Sequence, residues 1–247
     1  MKDTAKQVWK QRAQSYNKLE WATSSAYERA FLDAGHFQKS DIVLDVGCGT
    51  GIISKLVAPH VEQMVGLDIS PDMLRLARKN LLDNEFYILG DAYSLPFRDA
   101  LFDKVTARMI FHHLVENVQK GTNECFRVLK PGGALILSEG IPPSEEIAAW
   151  YTDMFRLKEE RLTFSRTILR AILEKAGFRH IEMIEYVTKQ SSVKNWLENS
   201  GLPREKQDII MQLHREMPQV GKDLYHANVT PDDVLIDMVF LIFVAVK

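Results

Sequence analysis

Seven consecutive residues, Asp45-Val46-Gly47-Cys48-Gly49-Thr50-Gly51, carry the sharpest chemical signal in the chain. They follow an apolar run and place glycines at alternate positions. Glycine tolerates positive φ and lets a ligand lie close to the backbone. A helix that starts just after such a turn presents unpaired N–H groups to a polar ligand. A dinucleotide pyrophosphate site needs Gly-x-Gly-x-x-Gly, but Ile52 occupies the third glycine position and the last glycine falls one residue earlier, at Gly51. The next apolar run ends in Asp68, 23 residues after Asp45. A carboxylate there can accept both hydroxyls of a ribose. The pair of signals suits an adenosine ligand without a pyrophosphate.

These residues need a scaffold. Asp41 to Val46 and Met64 to Asp68 read as short buried strands, with a helix over 52–58 between them. Ser70-Pro71-Asp72 opens the next helix, which the spacing carries to about Leu82. Further strands are expected at 85–89, 102–108 and 134–138, with a helix over 118–129 stopped by Pro131-Gly132-Gly133. This alternation predicts an α/β fold with a mostly parallel sheet and helices on both faces. Such sheets bind ligands beyond the carboxyl ends of their strands. After residue 140 the rhythm breaks. Residues 142–164 and 191–229 read as helical insertions, 165–176 as a helix, 180–188 as a strand and 235–246 as a last strand. One domain is therefore expected over 1–247. Its core is 36–141, 165–190 and 231–247. A helical cap is built from 1–35, 142–164 and 191–230.

Composition excludes several classes. Lys+Arg 31 against Asp+Glu 33 gives a net charge of −2 over 247 residues, so no general affinity for nucleic acid is expected. Two cysteines, Cys48 and Cys125, cannot form a disulfide framework. The first residues are polar, and the longest charge-free apolar run, Met238 to Val246, is too short to span a membrane. A cytoplasmic protein is expected.

The residues quoted above resemble motif I of class I S-adenosylmethionine-dependent methyltransferases. Gly66-Leu67-Asp68-Ile69-Ser70, Gly90-Asp91-Ala92 with Leu95-Pro96-Phe97, Phe111-His112-His113-Leu114 and Leu129-Lys130-Pro131-Gly132-Gly133 follow in the order of that family's landmarks. The similarity is greatest to ubiquinone- and menaquinone-biosynthesis methyltransferases, the type 11 group. It covers residues 41–140 well and 165–247 loosely. The resemblance implies a Rossmann-like seven-stranded sheet with an antiparallel last strand. It implies S-adenosylmethionine as cofactor and S-adenosylhomocysteine as product. Gly47 and Gly49 would let the methionine part lie against the backbone. Asp45 would hold the loop and the amino group, and Asp68 would bind the ribose. Ile69 would pack on the adenine, Asp91 and Ala92 would contact its edge, and Arg108 and Met109 would line the methionine pocket. An aromatic N-terminal helix covers the cofactor in many relatives. Trp9, Arg12 and Tyr16 share a helical face here.

The acceptor is expected to be a small molecule under the cap. Glu139, at the end of the fifth strand, is the first candidate to orient or deprotonate it, with His113 and His214 behind it. Tyr151 and Arg161 are candidate acceptor contacts, since Arg suits a carboxylate or phosphate. Trp150, Phe155, Trp196 and Tyr225 suit cap core as well as acceptor contact. No metal is expected: adjacent histidines on a helix point about 100° apart, and no acidic partner lies at ligand spacing around His112 and His113. Cys48 lacks a base partner for nucleophilic work. The amphipathic insertions would also serve a homodimer. The rival readings are a non-catalytic S-adenosylmethionine-binding regulator and, on the same type of sheet, an NAD(P)-dependent oxidoreductase. An Asn-Pro-Pro-Tyr-type motif is missing after the fourth strand, where Thr106-Ala107-Arg108-Met109 stands. That departure leaves O-, C- and small-molecule N-methylation open.

Overall fold

A computed structural model describes residues 9–247; Val8, which the helical spacing includes, lies outside them. Residues 9–12 are helical, and Tyr16–Lys18 form a 3-10 turn. Helix α1, Ser25–Gly35, starts where the Ser24 side chain accepts from the Tyr27 amide. It buries Tyr27, Phe31 and Ala34, one apolar stripe at i, i+4 and i+7.

The strands are β1 (Ile42–Val46), β2 (Gln63–Asp68), β3 (Glu85–Leu89), β4 (Phe102–Arg108), β5 (Leu129–Ile141), β6 (Arg179–Ser192), β7 (Asn228–Val229) and β8 (Val234–Val246). The sheet order is β3-β2-β1-β4-β5-β8-β6, with the two-residue β7 on β8. β1 to β5 run parallel, and β8 is antiparallel to both β5 and β6. The order reverses between β1 and β4, so a crevice is expected at their carboxyl ends. Alternate side chains divide the core: Val43, Met64 and Ile136 join one apolar cluster, Leu44, Val65 and Leu135 the other. α1 and α2 (Ile52–Val57) lie on the first face; α4 (Val118–Val128) and α6 (Arg166–Ala176) cover the second. α3 is Pro71–Ala77, with Ser70 as its N-cap and Pro71 at its start.

Several expected boundaries shift. α3 stops at Ala77, before the expected Leu82. Pro131-Gly132-Gly133 lies inside β5, which starts at Leu129. Leu129 pairs with Phe102 and Ala134 with Lys104; Pro131 to Gly133 fall in the irregularity between them, where a proline is tolerated. The 142–164 insertion is helical only over Glu145–Ile147 and α5, Ala148–Lys158. Residues 159–165 leave the helix, and the Leu162 amide bonds to the His112 carbonyl. The second insertion is α7 (Val193–Glu198), α8 (Arg204–Arg215) and α9 (Gln219–Leu224). Pro203 and Pro218 immediately precede α8 and α9, where proline is well placed to start a helix. These pieces and α5 pack over the β8 end of the sheet. α1, expected in the cap, packs instead on α2 and on β5, β6 and β8. Among the described residues no helix is long and apolar enough to cross a membrane.

Candidate active site

The glycine turn is folded onto the end of β2. The Gly47 and Cys48 amides both donate to the Leu67 carbonyl, at 2.8 and 3.1 Å. Asp45 is buried at the end of β1 and accepts from Ser54 Oγ at 2.7 Å and Thr106 Oγ1 at 2.9 Å. Burial pushes its carboxyl up to about 6. Asp45 thus ties β1 to the start of α2 and to β4. Asp68 Oδ2 accepts from the Gly49 amide and Oδ1 from the Ser70 amide, both at 2.8 Å. Burial also raises its carboxyl. A carboxylate offers about four acceptor positions, so both oxygens can take more.

Gly47, Gly49 and Gly51 all have positive φ, at 68°, 55° and 82°. Their surroundings differ. A Cβ on Gly47 would stand 2.7 Å from Ile110 Cγ1, and one on Gly51 2.6 Å from the Tyr87 hydroxyl. A Cβ on Gly49 would meet nothing within 4 Å. The turn therefore opens a cradle at Gly49, beside the Asp68 carboxylate. The Gly90 amide hooks the following loop to the Asp68 carbonyl at 2.9 Å. That brings Asp91 and Ala92 alongside Asp68 and Ile69. Asp91 accepts from the Tyr93 amide at 2.9 Å. Thr50 Oγ1 donates to Asn17 Oδ1 at 2.6 Å, fixing the 3-10 turn that carries Tyr16 to the glycine loop. The cradle and the acidic strand end fit an adenosyl group.

Beside this cradle lies a deep cavity under the cap, enclosing about 1000 Å³ of unfilled space including its mouth. Its floor is the sheet's ligand end: Met109 after β4, Gly140 and Ile141 of β5, and Met238 to Phe240 of β8. Met109 has φ 57°, a left-handed conformation rarely held by a bulky residue outside a functional site. The roof is aromatic: Tyr151 and Phe155 of α5, Trp196 of α7 and Tyr225 after α9. Tyr16 and Trp21 of the N-terminal segment also line the cavity.

Sequence reasoning places Arg108 against the methionine pocket. Its guanidinium donates to the Ala22 carbonyl at 2.9 Å and sits over the Trp21 and Tyr27 rings, 6.0 and 5.7 Å from their centroids. It anchors the N-terminal segment to the end of β4. Trp9, Arg12 and Tyr16 all line the cavity, but not from one helix, since Tyr16 belongs to the 3-10 turn. Glu139 is fully buried and does not line the cavity. Its Oε1 accepts the Phe111 and His112 amides at 2.6 and 3.3 Å, and its Oε2 pairs with His112 Nδ1 at 2.6 Å. His112 and His113, by contrast, do line the cavity. Burial pushes Glu139 up to about 7 and holds both histidines well below their ordinary value, hence neutral.

The expectation that the histidines lack an acidic neighbour is corrected by the tertiary structure. His112 and His113 sit on a 3-10 turn with ring centroids 4.0 Å apart. Potential ligand atoms of both lie within 4.8 Å of one another and of Glu159, 46 residues away. Both Glu159 oxygens are already held by cations, Arg12 on Oε2 and Lys158 on Oε1. Tyr151 and Arg161, both expected near the acceptor, do line the cavity. Sequence reasoning assigns no role to Glu159, Lys158 or Trp21, because no local pattern links them to His112. His214 is buried; its Nδ1–H donates to the Ile210 carbonyl at 2.8 Å, and burial lowers its imidazole to about 4.

Residues 44–137 match the family model described as a methyltransferase domain. The demethylmenaquinone methyltransferase of Thermotoga maritima is 44% identical over 105 residues, covering 41% of this chain and 44% of that protein. The demethylmenaquinone methyltransferase of Symbiobacterium thermophilum is 34% identical over 143 residues, covering 53% and 57%. The chain therefore spans about half the length of these two relatives. The crystal structure of YcgJ from Bacillus subtilis superposes with a TM-score of 0.78 at 20% identity, covering 90% of this chain and 98% of that one. At that identity it shows the fold.

Proposed function

We propose that this chain, whose residues 44–137 match a methyltransferase-domain family model, is a class I S-adenosylmethionine-dependent methyltransferase that transfers a methyl group to a small molecule held in the capped cavity. The observation that carries the reading is the juxtaposition of two sites. Gly49 faces open space beside the Asp68 carboxylate, and the glycine loop is tied through Thr50 to Asn17, the neighbour of Tyr16, which lines the aromatic cavity. Gly47, Gly49, Asp45 and Asp68 would hold S-adenosylmethionine, with Ile69, Asp91 and Ala92 at its adenine end. When bound, that cofactor supplies a methyl group on a sulfonium.

The protein's contribution is alignment and dryness. The aromatic roof and the N-terminal segment would exclude water, and Met109 lines the cavity floor. Where the acceptor loses a proton, His112 is the group placed to take it, as the cavity-lining ring on which Glu139 acts. Once Glu139 is ionised, above about pH 7, His112 Nδ1–H donates to its carboxylate and Nε2 is the acceptor nitrogen. His113, stacked edge-on to Trp9 at 5.0 Å, lies next to it. The relatives named as demethylmenaquinone methyltransferases support a flat aromatic acceptor, which the roof would stack. A non-catalytic binding role would keep the cradle but would not require the histidine pair in the cavity wall.

Calorimetric titration with S-adenosylmethionine, S-adenosylhomocysteine and NAD tests the reading. Both sulfur compounds are expected to bind saturably and NAD not at all. Asp68→Ala should weaken S-adenosylhomocysteine binding by about tenfold or more, the loss of hydrogen bonds to a charged group. Wild-type affinity in that variant would sink the site assignment.

A further inference from the structure

The cavity wall carries more cationic charge than it neutralises. The Arg12, Lys158 and Arg161 side chains lie there 7%, 11% and 4% exposed. One carboxylate, Glu159, faces all three. Arg12 takes its Oε2 and Lys158 its Oε1, at 2.8 Å for the lysine. Arg161 Nη1 stands 3.9 Å from that same Oε1, beyond hydrogen-bond reach. Its Nε reaches the Leu162 carbonyl at only 3.4 Å, and its Nη2 has no partner. The guanidinium carbon lies 4.1 Å from the Phe155 ring centroid, so the fork is held against the aromatic roof. Glu139, the other nearby carboxylate, spends both oxygens on Phe111 and His112. Burial keeps His112 and His113 neutral, so neither adds to nor offsets the charge. The same cavity holds a second unpartnered donor, Trp21 Nε1.

A cavity lined by such buried donors is complementary to a ligand that brings oxygen acceptors and negative charge, because a buried donor without an acceptor is costly and a charged one more so. Resting on the methyl-transfer reading of this cavity, we propose that the methyl acceptor is a small aromatic acid. Its carboxylate or phosphate is seated on the Arg161 fork, and its ring lies among Tyr151, Phe155, Trp196 and Tyr225. A planar guanidinium binds either anion with two parallel hydrogen bonds.

The test titrates the full chain, saturated with S-adenosylhomocysteine, with 1-naphthoate, 1-naphthyl phosphate and neutral 1-naphthamide. At least one anion is expected to bind about tenfold tighter than the amide. The tighter of the two identifies carboxylate or phosphate as the group read. Arg161→Met should abolish the preference while leaving S-adenosylhomocysteine binding unchanged. Arg161→Lys keeps the charge without the fork and should retain part of the preference; it serves if the methionine variant does not fold. No preference for either anion, or a preference that survives Arg161→Met, overturns the proposal and leaves the cofactor reading standing. Failure of the wild type to bind S-adenosylhomocysteine overturns both.

Discussion

Glu139 illustrates how burial assigns a residue its work. Its type and position at a strand end suggest an acid–base group facing the acceptor. In the fold it is sealed beneath the cavity, taking two backbone amides and His112. In the proposed reaction its role passes through the imidazole. Burial raises its carboxyl to about 7 from an ordinary 4.5, so the folded state holds a proton that the unfolded chain has lost. The folded state then binds more protons between those values, and stability falls as pH rises through them. Relative to Glu139→Gln, the wild type should lose about 3 kcal/mol at most between pH 4.5 and 7. Urea unfolding of both proteins at the two pH values reads the difference. A wild type that gains on Glu139→Gln over that interval would contradict the assignment.

At the scale of the element, the turn between β1 and α2 separates two demands on glycine. Gly47 needs its conformation and has no room, since an added methyl would stand 2.7 Å from Ile110; Gly49 needs its conformation and faces open space. A left-handed backbone costs a non-glycine residue roughly 1–2 kcal/mol. Gly49→Ala should therefore lower stability by about that amount and, by filling the cradle, sharply weaken S-adenosylhomocysteine binding. Gly47→Ala carries the same strain plus a clash and should destabilise more. Thermal unfolding and calorimetry on the two variants check both halves. Equal binding by Gly49→Ala and wild type would mean the cradle is not the cofactor's seat.

For the molecule as a whole, the proposed cofactor site would join distant stretches of the chain: the N-terminal turn, the β1 and β2 ends, and the loop after β3. A ligand that binds across them stabilises only the folded state. At about 100 times its dissociation constant, S-adenosylhomocysteine should add about 2.7 kcal/mol. For a chain of this size that corresponds to a rise in Tm of roughly 5–10 °C. A melting scan with and without ligand measures it, and an unchanged Tm at saturation would count against binding to the folded chain.

The parallel half of the sheet, its glycine turn and the acidic strand end were all legible from residue spacing. These features are local: strand, turn and helix cap lie within a few residues of one another, so the pattern reports them directly. The Asp45–Ser54 contact lies close to that turn, whereas the Asp68–Gly49 and Asp45–Thr106 bonds depend on how the strands are brought together. The acceptor cavity was not legible in this way. Its wall joins Arg12, His112, Glu159 and Arg161 with Trp196 and Phe240, residues brought from separate parts of the chain. Nothing in the spacing of two adjacent histidines reveals a carboxylate 46 positions away. Nor does it reveal which of three cations that carboxylate leaves without a partner. Those outcomes depend on how the cap packs over the sheet, where burial and charge pairing are settled together.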